Sequence, residues 1–149
     1  MFGVSRIHHF RLGEIIIDHL SFAKEQEELT MPENKLLTDS KEFAKRIVLL
    51  SREPKNRNVE SPIRDQLLRA GTSVGANIHE AQYAQGKKDF ISKFEIALKE
   101  CNESEYWLEL LFETNGITSE EFKTFQKYCI DLRRMLVSSV NTLKGKSKE

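Results

Sequence analysis

From Ile63 to Leu143 the chain repeats one spacing three times: an apolar or small residue at every fourth, then every third, position. Ile63, Leu67, Ala70, Val74, Asn77, Ala81 and Ala84 form the first run. Phe90, Phe94, Ala97, Cys101, Ser104, Leu108 and Leu111 form the second, and Phe122, Phe125, Cys129, Leu132, Leu136, Ser139 and Leu143 the third. Positions three and four apart are neighbours on a helix, so each run is a seam along one side of a rod. A seven-residue period is that of helices packed lengthwise. No proline follows Pro62, so the strongest helix breaker is missing from all three runs. No sustained period-two alternation competes, and no strand is expected.

A fourth seam precedes these. Leu36, Ser40, Phe43, Ile47 and Leu50 recur at the same spacing, with Ala44 and Val48 beside them, and the pattern stops before Pro54. The punctuation between the seams is equally regular. Ser61 and Pro62 read as N-cap and first helical residue: serine can accept from an orphan N–H and proline has none to orphan. Gly86 closes the second helix and Lys87 opens the third. Asn115-Gly116 is a C-cap signal, and Thr118 with Glu121 three residues later matches a capping box. Four amphipathic helices with short loops predict an all-α, antiparallel, up-down four-helix bundle over residues 31–149.

Residues 1–30 do not fit this scheme. Gln26-Glu27-Glu28 can be encoded by a purine-rich run resembling a ribosome-binding signal, at a sensible distance before the Met31 codon. One reading is therefore a translated leader with Met31 as the natural start. The other is a genuine, poorly ordered N-terminal arm with a short helix around residues 15–29. His8, His9 and His19 lie in this stretch and receive no role.

Charge excludes some functions. The chain of 149 residues has 23 basic and 23 acidic side chains, and from Met31 onward 20 against 18. That balance suits a soluble helical protein and disfavours a strongly basic nucleic-acid binder, leaving local patches open. Lys87-Lys88 and Arg133-Arg134 are the candidate nucleic-acid-binding residues, and a ring-shaped oligomer would repeat them into a multivalent surface. No apolar run approaches the ~20 residues of a membrane span. Cys101 and Cys129 lack CxxC spacing and follow no secretory signal, so they read as reduced core residues of a cytoplasmic protein, a disulfide being the alternative.

Catalytic chemistry is not encoded in any recognisable form. A bundle di-metal site needs Glu-x-x-His pairs, and none occurs; no metal or other cofactor is expected. Arg69 and His79 are too far apart for a helical ribonuclease pair, and phosphate loop and nucleophile elbow are both missing. The chain is therefore expected not to be an enzyme, and no catalytic residue is nominated.

Structural and assembly roles fall to six residues. Gly71 and Gly75 form a small stripe beside the seam from Ile63 to Ala84, where close approach of another helix would offset their cost of ~1 kcal/mol each against alanine. Asn77 sits in the seam itself, and fixing register is preferred to ligand binding as its role. Glu105 lies in a second apolar stripe with Ile91, Leu98 and Phe112, so it needs a cation: Arg64, Arg69 or Arg133. A solvated face explains Glu80 poorly too. Trp107 belongs to a helix end that is apolar around much of its circumference, as Ile130 and Val137 form an off-seam stripe, and both suggest a further packing partner such as a second subunit.

The run SVGANIHEA followed by KKDFISKFEIALKECNESEYWLELL resembles the four helix bundle protein family, also called the 23S ribosomal RNA intervening-sequence protein family. The matching residues are Ser73, Asn77, Ile78 and Glu80, then Lys87, Lys88, Asp89 and Phe90, then Ala97, Glu103 and Glu105. The resemblance spans roughly residues 35–116. Ala81 stands where the family often has glycine, which bears on the local helix end. The resemblance implies a bacterial homopentameric ring of four-helix bundles. It also implies a relative, the accessory variability determinant of diversity-generating retroelements, which binds nucleic acid and a reverse transcriptase through a basic surface. The expected role is an oligomeric adaptor for RNA or a ribonucleoprotein, with a self-assembling interaction module as the alternative.

Overall fold

The computed structural model describes residues 20–24, 35–52 and 59–145. The chain divides into two compact units, Met1–Met31 and Pro32–Glu149. Of the first unit, residues 20–24 are described and helical. The readings of Met31, the three N-terminal histidines and the arm around them lie outside the described residues.

The second unit is a bundle of four helices: α1, helical over residues 35–52, α2 (Ser61–Ala81), α3 (Lys87–Glu113) and α4 (Ser119–Gly145). No strand occurs among the described residues. Cross-helix partners run in opposite order at every seam, so neighbours are antiparallel. Gly71 lies against Ile47 and Gly75 against Ser40. Arg69 of α2 meets Glu100 of α3, while Glu80 further along α2 meets Lys93. Phe112 stacks on Phe122, Arg133 reaches Asn102, and Lys144 reaches Glu95. α4 closes the array beside α1, where Phe43 lies 6.3 Å edge-on from Phe125 and 6.1 Å from Tyr128. All-α, up-down and antiparallel is the architecture that the four seams predict.

The seam of α3 is buried as spaced, from Phe90 to Leu111 without exception. The others drift. In α2 the core runs Val74, Ile78, Ala81, so Ile78 takes the place expected of Asn77, which is half-buried beside it. In α4 Val140 is buried and Ser139 only half-buried, and Phe122 also leaves the core. An α-helix has 3.6 residues per turn, so a strict seven-residue seam rotates out of the core unless the helices supercoil, and the buried position slips by one.

Two boundaries differ from expectation. The N-cap of α2 is Glu60, whose carbonyl accepts from Ile63 and Arg64 at 3.1 Å each. Ser61 is already helical, and its hydroxyl accepts from Arg64 Nη2 at 3.0 Å instead of capping. α2 also ends at Ala81 rather than running to Ala84. Gln82, Tyr83 and Ala84 donate to carbonyls three residues back, at 3.0 to 3.2 Å, which tightens the chain out of the α-helix. The other two signals take the form expected. Thr118 N–H donates to Glu121 Oε2 at 2.8 Å and Glu121 N–H to Thr118 Oγ1 at 3.2 Å, a reciprocal capping box. Asn115 takes the left-handed position at φ 59°, and Gly116 N–H reaches Leu111 O at 2.7 Å, closing α3 with a Schellman turn.

Candidate interaction surfaces

Glu105 has its cation. Arg133 Nη2 on α4 donates to Glu105 Oε2, and Arg133 Nε donates to Asn102 Oδ1 at 3.0 Å. Of the three arginines open from sequence, Arg133 therefore partners Glu105. Arg69 partners a different pair, donating to Glu100 at 3.3 Å and to Glu103. Arg64 turns back to Ser61.

The Arg133–Glu105 pair sits on the outer face of the α3–α4 seam, both side chains about a quarter to a third exposed. Exposed apolar side chains lie along the same helices, Ile130 and Val137 three and four residues either side of Arg133 and Phe112 seven beyond Glu105. Ile130 and Val137 of α4 are 36% and 39% exposed, and Phe112 of α3, stacked on Phe122 at 4.8 Å, is 37% exposed. The off-seam stripe read from sequence is thus an outward apolar surface with a polar pair at its middle.

The α2–α3 seam carries a second network. Glu103 accepts from Arg69 and, at 3.3 Å, from the Trp107 indole N–H. Burial pushes the Glu103 carboxyl up, but the hydrogen bonds from Arg69 and Trp107 outweigh it and hold the group below its ordinary value. Trp107 is half-buried, with Tyr106 edge-on at 4.9 Å and exposed to solvent. Sequence reasoning assigned Trp107 to assembly and missed this network. The clue was available: antiparallel α2 and α3 place Arg69 opposite the acidic middle of α3.

Asn77 Nδ2 donates to Ser73 O at 2.9 Å, a bond within its own helix. Glu80 is 58% exposed and accepts from Lys93 at 2.5 Å. The solvated-face account therefore covers Glu80 after all. Gly71 and Gly75 mark where α1 comes close: an added Cβ would lie 2.8 Å from Ile47 Cγ1 at Gly71 and 3.2 Å from Ser40 O at Gly75.

The four candidate basic residues do not form one patch. Lys87 and Lys88 open α3. Arg133 reaches Asn102, 15 positions further along α3, which is roughly 22 Å at 1.5 Å per residue. Arg133 is engaged by Glu105 and Asn102, whereas Lys88 and Arg134 are exposed.

Among the described residues no cluster of three or more metal-ligating side chains occurs, and no helix is long and apolar enough to cross a membrane. Cys101 and Cys129 are free and buried, the Cys101 thiol 3.5 Å from the Cys129 carbonyl. The hydrogen bond with Cys101, with burial, pushes the Cys129 thiol far up. A buried thiol so held is a poor nucleophile.

The sequence matches the family model described as 23S rRNA-intervening sequence protein over residues 32–138. Among solved structures it is similar to a protein of unknown function from the S23 ribosomal protein family of Bacteroides thetaiotaomicron. That match has 44% identity and a TM-score of 0.70, and covers 74% of this chain and 98% of the other. Neither description names a catalytic activity. No curated protein matches this chain.

Proposed function

The chain belongs to the 23S rRNA-intervening sequence protein family, and from that premise we propose that it is a non-enzymatic oligomeric adaptor for RNA or a ribonucleoprotein in the bacterial cytoplasm. The observation that carries the reading is the outward α3–α4 face. Ile130 and Val137 of α4 and Phe112 of α3 stand exposed along the two helices that the Arg133–Glu105 pair joins, and that pair is already satisfied within the protomer. Exposed apolar side chains grouped on one face mark protein contacts. A homopentameric ring would cover it with sister chains. Closing such a ring would repeat Lys87, Lys88 and Arg134 five times, turning scattered cations into a multivalent surface for phosphate. A reverse transcriptase is the protein partner proposed for such a ribonucleoprotein.

An electrophoretic shift with structured RNA across a salt series tests the RNA half. Binding at low salt that weakens steadily as salt rises is expected, because phosphate contacts release counterions. No binding at low salt overturns it. One observation favours a second reading, a self-assembling module without nucleic acid: Arg133 is consumed by Glu105 and Asn102, and the formal net charge is zero. Under that reading the oligomer persists and the shift assay is blank.

A further inference from the structure

A groove runs between α1 and α2, beside the close approach at Gly75. It encloses about 560 Å³, within the ordinary range of small-ligand sites. α1 lines it with Thr38, Lys41 and Ala44, and α2 with Gly75, Ala76 and His79. Ala44, Gly75 and Ala76 give it small residues beside Leu37, where α1 passes close to Gly75. Among the described residues no carboxylate lines the groove. Lys41 stands between two paired lysines, Lys35 with Asp39 and Lys45 with Glu42, yet has no carboxylate partner among the described residues. Beside the groove, His79 meets Tyr83 edge to face, ring centroids 5.6 Å apart. Tyr83 is 76% exposed, an aromatic ring that the bundle core does not use.

An apolar shelf, an outward aromatic pair and a cation with no carboxylate partner among the described residues are what a single-stranded nucleic acid needs. Every base has a face that stacks on an aromatic ring, and its phosphate seeks a cation. We infer that this groove holds a nucleotide unit of single-stranded RNA, its base against the His79–Tyr83 pair and the Ala76 shelf, its phosphate toward Lys41. The inference rests on the RNA-binding reading and adds to it the form of the RNA and the residues that meet it.

The test is fluorescence anisotropy of the full chain with an end-labelled single-stranded RNA of mixed sequence, and with the same strand in a duplex. The single strand is expected to bind about tenfold tighter, because paired bases cannot stack on protein. Tyr83→Ala and His79→Ala should each weaken single-strand binding by about five- to a hundredfold, and Tyr83→Phe should restore it. Lys41→Gln should flatten the slope of log affinity against log salt by about 0.7. Scattering mass and helical circular dichroism accompany each variant. Wild-type binding that all these variants share unchanged overturns the groove and leaves the adaptor reading standing. Loss of binding together with a smaller oligomer makes the groove a contact between copies and overturns the inference. A wild type that binds neither RNA removes the adaptor reading itself, and the groove with it.

Discussion

Gly71 and Gly75 are one helical turn apart, yet a methyl group means different things at each. At Gly71 it would strike Ile47, a β-branched side chain with no exposure and little room to turn. Overpacking of that kind costs about 1–3 kcal/mol, against about 1 regained in helix propensity. At Gly75 the nearest atom is a carbonyl oxygen at 3.2 Å, a tight contact rather than a clash. Gly71→Ala is therefore expected to destabilise, and Gly75→Ala to cost less; paired urea melts give the order. The sequence showed both glycines as a stripe, because spacing is local, but which atom each faces depends on another helix. Asn77 teaches the same. Its amide bonds to its own helix and its side chain is half-buried, so Asn77→Leu is expected to shift unfolding free energy by less than about 1 kcal/mol. Glu103 has a pH signature. Its carboxyl is lowered in the folded state, so the stability it contributes is present above the ordinary value of 4.5 and lost as pH falls below it. Wild type should lose more thermal stability than Glu103→Gln as pH is taken down through that window. Equal losses would remove Glu103 from the acid response.

The helix ends separate what is legible from what is not. The capping box of α4 and the Schellman turn of α3 were readable because each is written within six residues. Thr118→Ala is accordingly expected to cost about 0.5–2 kcal/mol in a denaturant melt. Ser61 looked like an equally good cap. It fails because the helix begins one residue earlier and Arg64 takes the hydroxyl. The long seams were readable in outline only. α3 keeps its seam for its full 27 residues, but α2 slips at Ile78 and α4 at Val140. A list of spacings carries no information on where a straight helix turns its seam away, since that is set by the neighbours it packs on. The Arg133–Glu105 pair shows the same limit: sequence demanded a cation for Glu105 and left three, and the register of α3 against α4 selects one.

For the whole molecule, fold and role are specified by different surfaces. The inner seams demand four helices and receive them, which is why the architecture was legible from spacing alone. The proposed role depends on outer faces, where Ile130, Val137, Phe112, Tyr106 and Tyr83 stay exposed. Nothing in a single chain's spacing says what covers them. If sister chains cover the α3–α4 face, charges placed there should separate the copies and leave each bundle folded. Ile130→Glu with Val137→Glu is expected to reduce the oligomer to monomers while helical circular dichroism stays unchanged. The most direct measurement is the light-scattering mass of the wild type at micromolar concentration. The account predicts a mass several-fold above the 17.3 kDa of one chain, about five times for the proposed ring. A mass of one chain at every concentration contradicts it.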